Sequence, residues 1–253
     1  MNILEDEDEN PDLTTICTKS FTLTAEITEL LKKVPSRTVT DILIQHFFSD
    51  ANWIYEMVYP TTFIERYNAW WSGTRQSVDD LEFAALLLRL CSYSAQFLPS
   101  QNYTADTILG ISLSTIREDC NATAIALSRS SMIADGPSSL TRIHELFYRA
   151  CYLKNEGEMK ESWNILSKAI RDAHELGLHL NLQKGNGRIT SEYELEMGKR
   201  TYWNLWLWDK YGSPFLHCTL RSAAFCYGNG VDGIKRIRPR TRITFQKENK
   251  SIC

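Results

Sequence analysis

The sequence predicts an all-α fold, a multi-helix bundle of antiparallel helical hairpins with an acidic N-terminus and an irregular basic tail. Three observations carry that prediction. Apolar residues recur at spacings of three and four along most of the chain, proline and glycine punctuate those runs, and no alternating strand pattern is followed by a hairpin turn. At 43% hydrophobic, the 253 residues hold enough apolar mass for a core, as one large domain or two small ones.

Residues 1–20 open the chain as an acidic lead, with six acids and no base between Met1 and Asp12, a composition that predicts disorder. In "TLTAEITELLKKV", Ile27, Leu30, Leu31 and Val34 form one helical stripe closed by Pro35. Thr38 or Thr40 is expected to cap "DILIQHFFSDANWIYEMV", whose apolar face (Ile42, Leu43, Phe47, Ile54, Val58) is interrupted near Ser49 and Asp50. Pro60 ends that run. Thr61 or Thr62 should cap the next helix, which turns Phe63, Tyr67 and Trp70 or Trp71 inward.

In "SVDDLEFAALLLRLCSYSAQFL" the leucines wrap most of the surface, which predicts a helix central to the core, stopped by Pro99. Ile116, Cys120, Ala124 and Leu127 mark the following helix. After the "GPSS" linker, Ile143, Leu146, Phe147, Ala150 and Cys151 form another stripe. Gly157 then separates this helix from one whose seam reads Met159, Trp163, Leu166, Ile170 and Ala173, so the two are expected as antiparallel neighbours. Gly177 stands where a helix end favours a left-handed residue. The aromatic run "EYELEMGKRTYWNLWLWDKY" gives one more helix. The domain reading is thus 1–20 acidic lead, 21–213 helical domain and 214–253 basic irregular tail.

Charge is uneven along the chain. The net value is −3, yet Arg221 to Cys253 carries eight bases against Asp232 and Glu248, about +6, which leaves about −9 elsewhere. A phosphate-gripping surface is therefore not the main feature of the chain. Seven cysteines without close pairs fit a reducing compartment, not a disulfide framework or a zinc finger. The acidic start does not read as a secretory signal, no apolar run reaches the roughly 20 residues a bilayer needs, and the sequons at Asn102 and Asn121 read as chance matches.

Reactive motifs are sparse. His174 and His179 are five apart, which on a continuous helix puts them on different faces and favours packing or capping over metal binding. His217, Cys218 and Cys226 lack a fourth ligand. Asp79 and Asp80 sit at a helix start, where acids complement the dipole. No nucleophile elbow, phosphate loop or dinucleotide fingerprint is found, so no catalytic residue, metal ligand or cofactor is assigned. Lys235, Arg236, Arg238, Arg240 and Arg242 are the weak candidates for DNA contact or nuclear import, against a solvated tail. Trp203, Trp206 and Trp208 read as core in preference to a stacking platform.

Two stretches resemble the regulatory middle homology domain of fungal zinc-cluster transcription factors. The first, residues 34–71, carries Pro35, Ile42, Leu43, Phe47, Phe48, Asn52, Tyr59, Pro60, Thr62 and Phe63. The second, residues 146–213, carries Gly157, Trp163, Ala169, Ala173, Leu176, Gly177, Leu178, His179, Glu196, Lys199, Arg200, Tyr202, Trp203 and Asp209. The resemblance implies a helical regulatory domain, nuclear localisation and control of RNA polymerase II transcription. It also implies other transcription regulators or a second copy as partners, with no membrane.

DNA and zinc are implied only through the family's six-cysteine module, which nothing in this sequence resembles. If Lys199, Arg200 and Asp209 act beyond packing, they are expected to orient and cap the aromatic helix. The change of composition after Pro214 departs from the family pattern and suggests truncation or an altered reading frame. The rival expectation is a stand-alone helical-hairpin scaffold that binds a peptide, although no 34-residue repeat accompanies it.

Overall fold

A computed structural model describes residues 24–73, 77–180 and 192–216. In chain order these form α1 (Ala25–Lys32), α2 (Arg37–His46), α3 (Pro60–Ser72), α4 (Val78–Ala95), β1 (Thr107–Ile108), β2 (Ile111–Ser112), α5 (Leu113–Arg129), α6 (Ser131–Ala134), α7 (Leu140–Asn155), α8 (Met159–Glu175) and α9 (Glu192–Leu216). The expected all-α class holds, with one two-residue strand pair added.

Every residue from Leu81 to Ala95 is buried, because apolar side chains point to all sides of this helix and its charged members, Glu82 and Arg89, find partners inside. Helices α2, α5 and α7 pack around α4, α8 packs on α7, and α9 closes over α8. The start of α4 is fixed by a reciprocal cap. Ser77 Oγ accepts from the Asp80 amide and Asp80 Oδ2 accepts from the Ser77 amide, each at 3.1 Å, so Asp80 does more there than meet the helix dipole.

Two expected caps are replaced. Ser36, not Thr38 or Thr40, precedes α2, and Thr40 lies inside that helix with its hydroxyl 2.7 Å from Tyr67 Oη. Tyr59 precedes α3 and Pro60 takes the first helical position, where a missing N–H costs nothing. Thr61 and Thr62 therefore lie within the first turn. The interruption near Ser49 is a π turn at Phe47–Ala51 followed by a 3₁₀ turn at Asn52–Ile54. This change of pitch turns Ile54 outward, to 45% exposure, and removes it from the apolar face.

The strand pair joins Thr107 to Ser112 and Ile108 to Ile111. Leu109 and Gly110, both at positive φ, make the tight turn between them, and a leucine there gives no turn signal in the sequence. Ser112 then caps α5 by accepting from the Thr115 amide at 3.1 Å.

The seam of α8 is also rotated from expectation. Ser162, Leu166, Ala169 and Ala173 are its buried line, while Met159 is 45% exposed and Trp163 and Ile170 are half-buried. Small residues let α7 and α8 approach, and Ser162 Oγ donates to the Ala150 carbonyl at 2.7 Å. No helix among the described residues is long and apolar enough to cross a membrane.

Candidate functional site

The turn between α2 and α3 and the middle of α9, nearly 150 residues apart, meet. Asn52 Nδ2 donates to the Val58 carbonyl at 2.9 Å and holds the chain in a tight reversal in which Glu56 has φ +49. From α9, Asn204 Nδ2 donates to the Tyr55 carbonyl at 2.9 Å, and Arg200 Nη1 lies 3.4 Å from Glu56 Oε2. Arg200 Nε also donates to Glu196 Oε1 at 3.0 Å. The two stretches that carry the sequence signature are thus in contact, through residues of which Asn204, Tyr55 and Glu56 drew no attention in the sequence.

Aromatic rings continue that contact into the core. Phe47 meets Phe48 at 5.1 Å and Tyr148 at 5.3 Å, Phe48 meets Phe63 at 5.4 Å, and Tyr59 meets Tyr193 of α9 at 5.9 Å. Tyr55 stands edge-on to Phe147 at 4.9 Å and to Trp208 at 6.0 Å. Such edge-to-face pairs align the positive ring edge with a negative face. Burial pushes the Tyr55, Tyr93 and Tyr148 hydroxyls upward, so all three stay neutral.

Trp203 departs from its core assignment. It is 38% exposed and stacks on Trp206 at 5.0 Å, whereas Tyr202 and Leu205 supply the buried side of α9. Trp163 is half-buried against the core. Asp209 is 8% exposed, and burial raises its pKa with Lys210 opposing. It lies in the interior of α9 and not at an end, so the expected capping of the aromatic helix by Asp209 does not occur. Arg200, likewise within the helix, spans to the 52–56 turn instead.

Gly157 and Gly177 both adopt positive φ, +84° and +77°, in the turns that bound α8. The second turn reverses the chain and brings His179 back over α8. The His174 and His179 rings are 4.9 Å apart, and His174 Nε2 lies 3.2 Å from Tyr202 Oη. The two histidines therefore share one site, contrary to the helical-wheel expectation. Burial and the neighbouring His179 hold His174 below its ordinary value. Among the described residues no group of three or more His, Cys, Asp or Glu has metal-binding geometry, and Cys91, Cys120 and Cys151 are single buried thiols. These residues do not fit zinc.

Inside the bundle, Arg89 of α4 is fully buried. Its Nε donates to Glu145 Oε1 on α7 at 3.1 Å and its Nη1 to Asn121 Oδ1 on α5 at 2.6 Å, tying three helices. Asn121 is thus a structural acceptor. Beside this network a cleft of about 160 Å³ opens between α5, α6, α7 and α8, with Ile133, Leu146 and Ile165 as apolar walls and four basic side chains around them. Sequence reasoning missed it, since its residues come from four elements. The tail candidates Lys235, Arg236, Arg238, Arg240 and Arg242, together with His217, Cys218 and Cys226, lie outside the described residues.

Comparison with known proteins agrees with the signature. The chain is 40% identical over 185 residues to the probable transcription factor sol4 of Alternaria solani, covering 73% of this chain and 33% of that protein. It is 30% identical over 197 residues to the transcription factor xilB of Penicillium rubens, covering 74% of this chain and 29% of that protein. The chain spans about a third of the length of these curated relatives. No solved structure matches it. Residues 44–213 match the fungal specific transcription factor domain, and they enclose the second signature stretch and the first from residue 44 onward. The chain belongs to the fungal specific transcription factor domain family.

Proposed function

We propose that this chain supplies the regulatory helical domain of a zinc-cluster transcription factor that acts in the nucleus on RNA polymerase II transcription. The family match and the transcription-factor names of both relatives support this reading, as does a fold built from packed helices. The observation that carries it is the docking of α9 on the 52–56 turn through Asn204 and Arg200, which joins the two halves of the family signature. In this role the domain transmits contacts and performs no chemistry, in keeping with a family of transcription factors and not of enzymes. DNA contact and zinc belong to the family's cysteine module, and the partners are other transcription regulators or a second copy of the chain.

The rival, a free peptide-binding hairpin scaffold, is less favoured because the α7–α8 pair is covered by α4 on one side and α9 on the other. A fusion of the full chain to an unrelated DNA-binding domain tests the proposal in a fungal reporter strain. Reporter output should change, up or down, and Asn204→Ala should reduce the change. A stably expressed, folded fusion that leaves output at the level of the DNA-binding domain alone overturns it.

A further inference from the structure

We infer that the cleft between α5, α6, α7 and α8 is a binding site for a small oxyanion, a phosphate or carboxylate group, held by Arg149 and Lys168. The cleft is lined by Arg129, Arg142, Arg149 and Lys168 and by two acids, Glu145 and Glu161. The acids do not balance the bases. Glu145 is engaged by Arg89 at 3.1 Å, and Arg142 is engaged by Asp172 at 3.1 Å and by the Ile133 and Gly136 carbonyls. That leaves Arg149, Lys168 and the exposed Arg129 facing one carboxylate, Glu161, which is itself exposed.

Arg149 makes the cleft more than a charged surface. It is only 7% exposed, its Nε is buried without a hydrogen-bond partner, and it makes no hydrogen bond or ion pair among the described residues. A guanidinium does not lose its proton in a protein, so burial leaves a charged fork in need of an acceptor. Burial pushes its pKa down, and Glu145 and Glu161 offset this only from a distance. A carboxylate or phosphate supplies two acceptor oxygens to such a fork, and the apolar walls strengthen the pairing by excluding water. The volume of about 160 Å³ sets the size of the ligand. It lies below the roughly 300 Å³ at which pockets begin to enclose drug-sized molecules, so the ligand is one anionic group with a short stem. This assignment does not depend on the transcriptional role.

Calorimetric titration of the full chain at fixed ionic strength tests the inference, with inorganic phosphate in one arm and acetate in the other. Saturable binding of either is expected, and the tighter arm identifies the class. Arg149→Gln, which removes no bond within the protein, should weaken binding at least tenfold while the thermal midpoint holds. Lys168→Gln should weaken it severalfold, and Glu161→Gln should tighten it by removing the competing carboxylate. Heat that does not saturate in either arm, or affinity in the Arg149 and Lys168 variants unchanged from the parent, overturns the site.

Discussion

Asn204 on α9 donates its amide to the Tyr55 carbonyl across 149 residues of chain. A side chain of one signature stretch thereby satisfies a backbone group of the other. Replacing Asn204 with Ala leaves that carbonyl without its partner, a loss of about 1–3 kcal/mol. Urea unfolding followed by tryptophan fluorescence should show the midpoint lowered. An unchanged midpoint would mean that water replaces the amide freely and that the turn does not depend on α9.

Arg89 and Glu145 form an ion pair with side chains 0% and 3% exposed. Removing one partner of such a pair strands the other charge, so Arg89→Ala should lose about 3–5 kcal/mol. The double variant Arg89→Met with Glu145→Leu strands neither charge and should be more stable than Arg89→Ala. A double-mutant cycle by chemical denaturation reads the coupling, and strictly additive losses would contradict it.

His144 is buried, 7% exposed, with Nε2 at 2.8 Å from Thr201 Oγ1, and burial holds its pKa at about 4 against 6.5 for the free side chain. The unfolded chain takes up this proton at a higher pH than the folded one. Stability is therefore full above about 6.5 and falls as pH drops toward 4, by about 3 kcal/mol from this residue. Unfolding free energy measured at several pH values should slope less steeply in His144→Gln than in the parent. Parallel slopes would mean the imidazole is solvated.

Gly157 and Gly177 hold φ at +84° and +77°, and an added Cβ at either meets nothing within 4 Å. The cost of alanine is then purely backbone strain, about 1–2 kcal/mol at each site, and asparagine should lose less than alanine. Thermal melts of the four single variants check the order. Alanine and asparagine equally harmful would point to a steric cause.

Much of the bundle is legible from local pattern. The stripes Ile116, Cys120, Ala124, Leu127 and Ile143, Leu146, Phe147, Ala150, Cys151 are buried as their spacing requires. The leucines that wrap most of the surface of α4 announce its central place. Less legible is which edge of an apolar arc meets a neighbour. On α8 both Trp163 and Ser162 border the arc, and the close approach of α7 selects the small residue for the seam.

The candidate sites were harder to read for a related reason. The helical wheel separates His174 from His179 only while the helix continues, and the left-handed turn at Gly177 ends it and folds one ring onto the other. The basic cleft draws on four elements and the Asn204 contact on two distant ones, so neither has a local signature.

By itself the sequence determined where helices form and which faces are apolar, because backbone hydrogen bonding and side-chain periodicity are set by neighbours three and four residues away. Through its two signature stretches it also pointed to the family. The tertiary structure alone decided which charges find partners. Arg89 meets Glu145 and Asn121, while Arg149, one turn along α7 from Glu145, is left without an acceptor, and that difference depends on what the facing helices present across the interface.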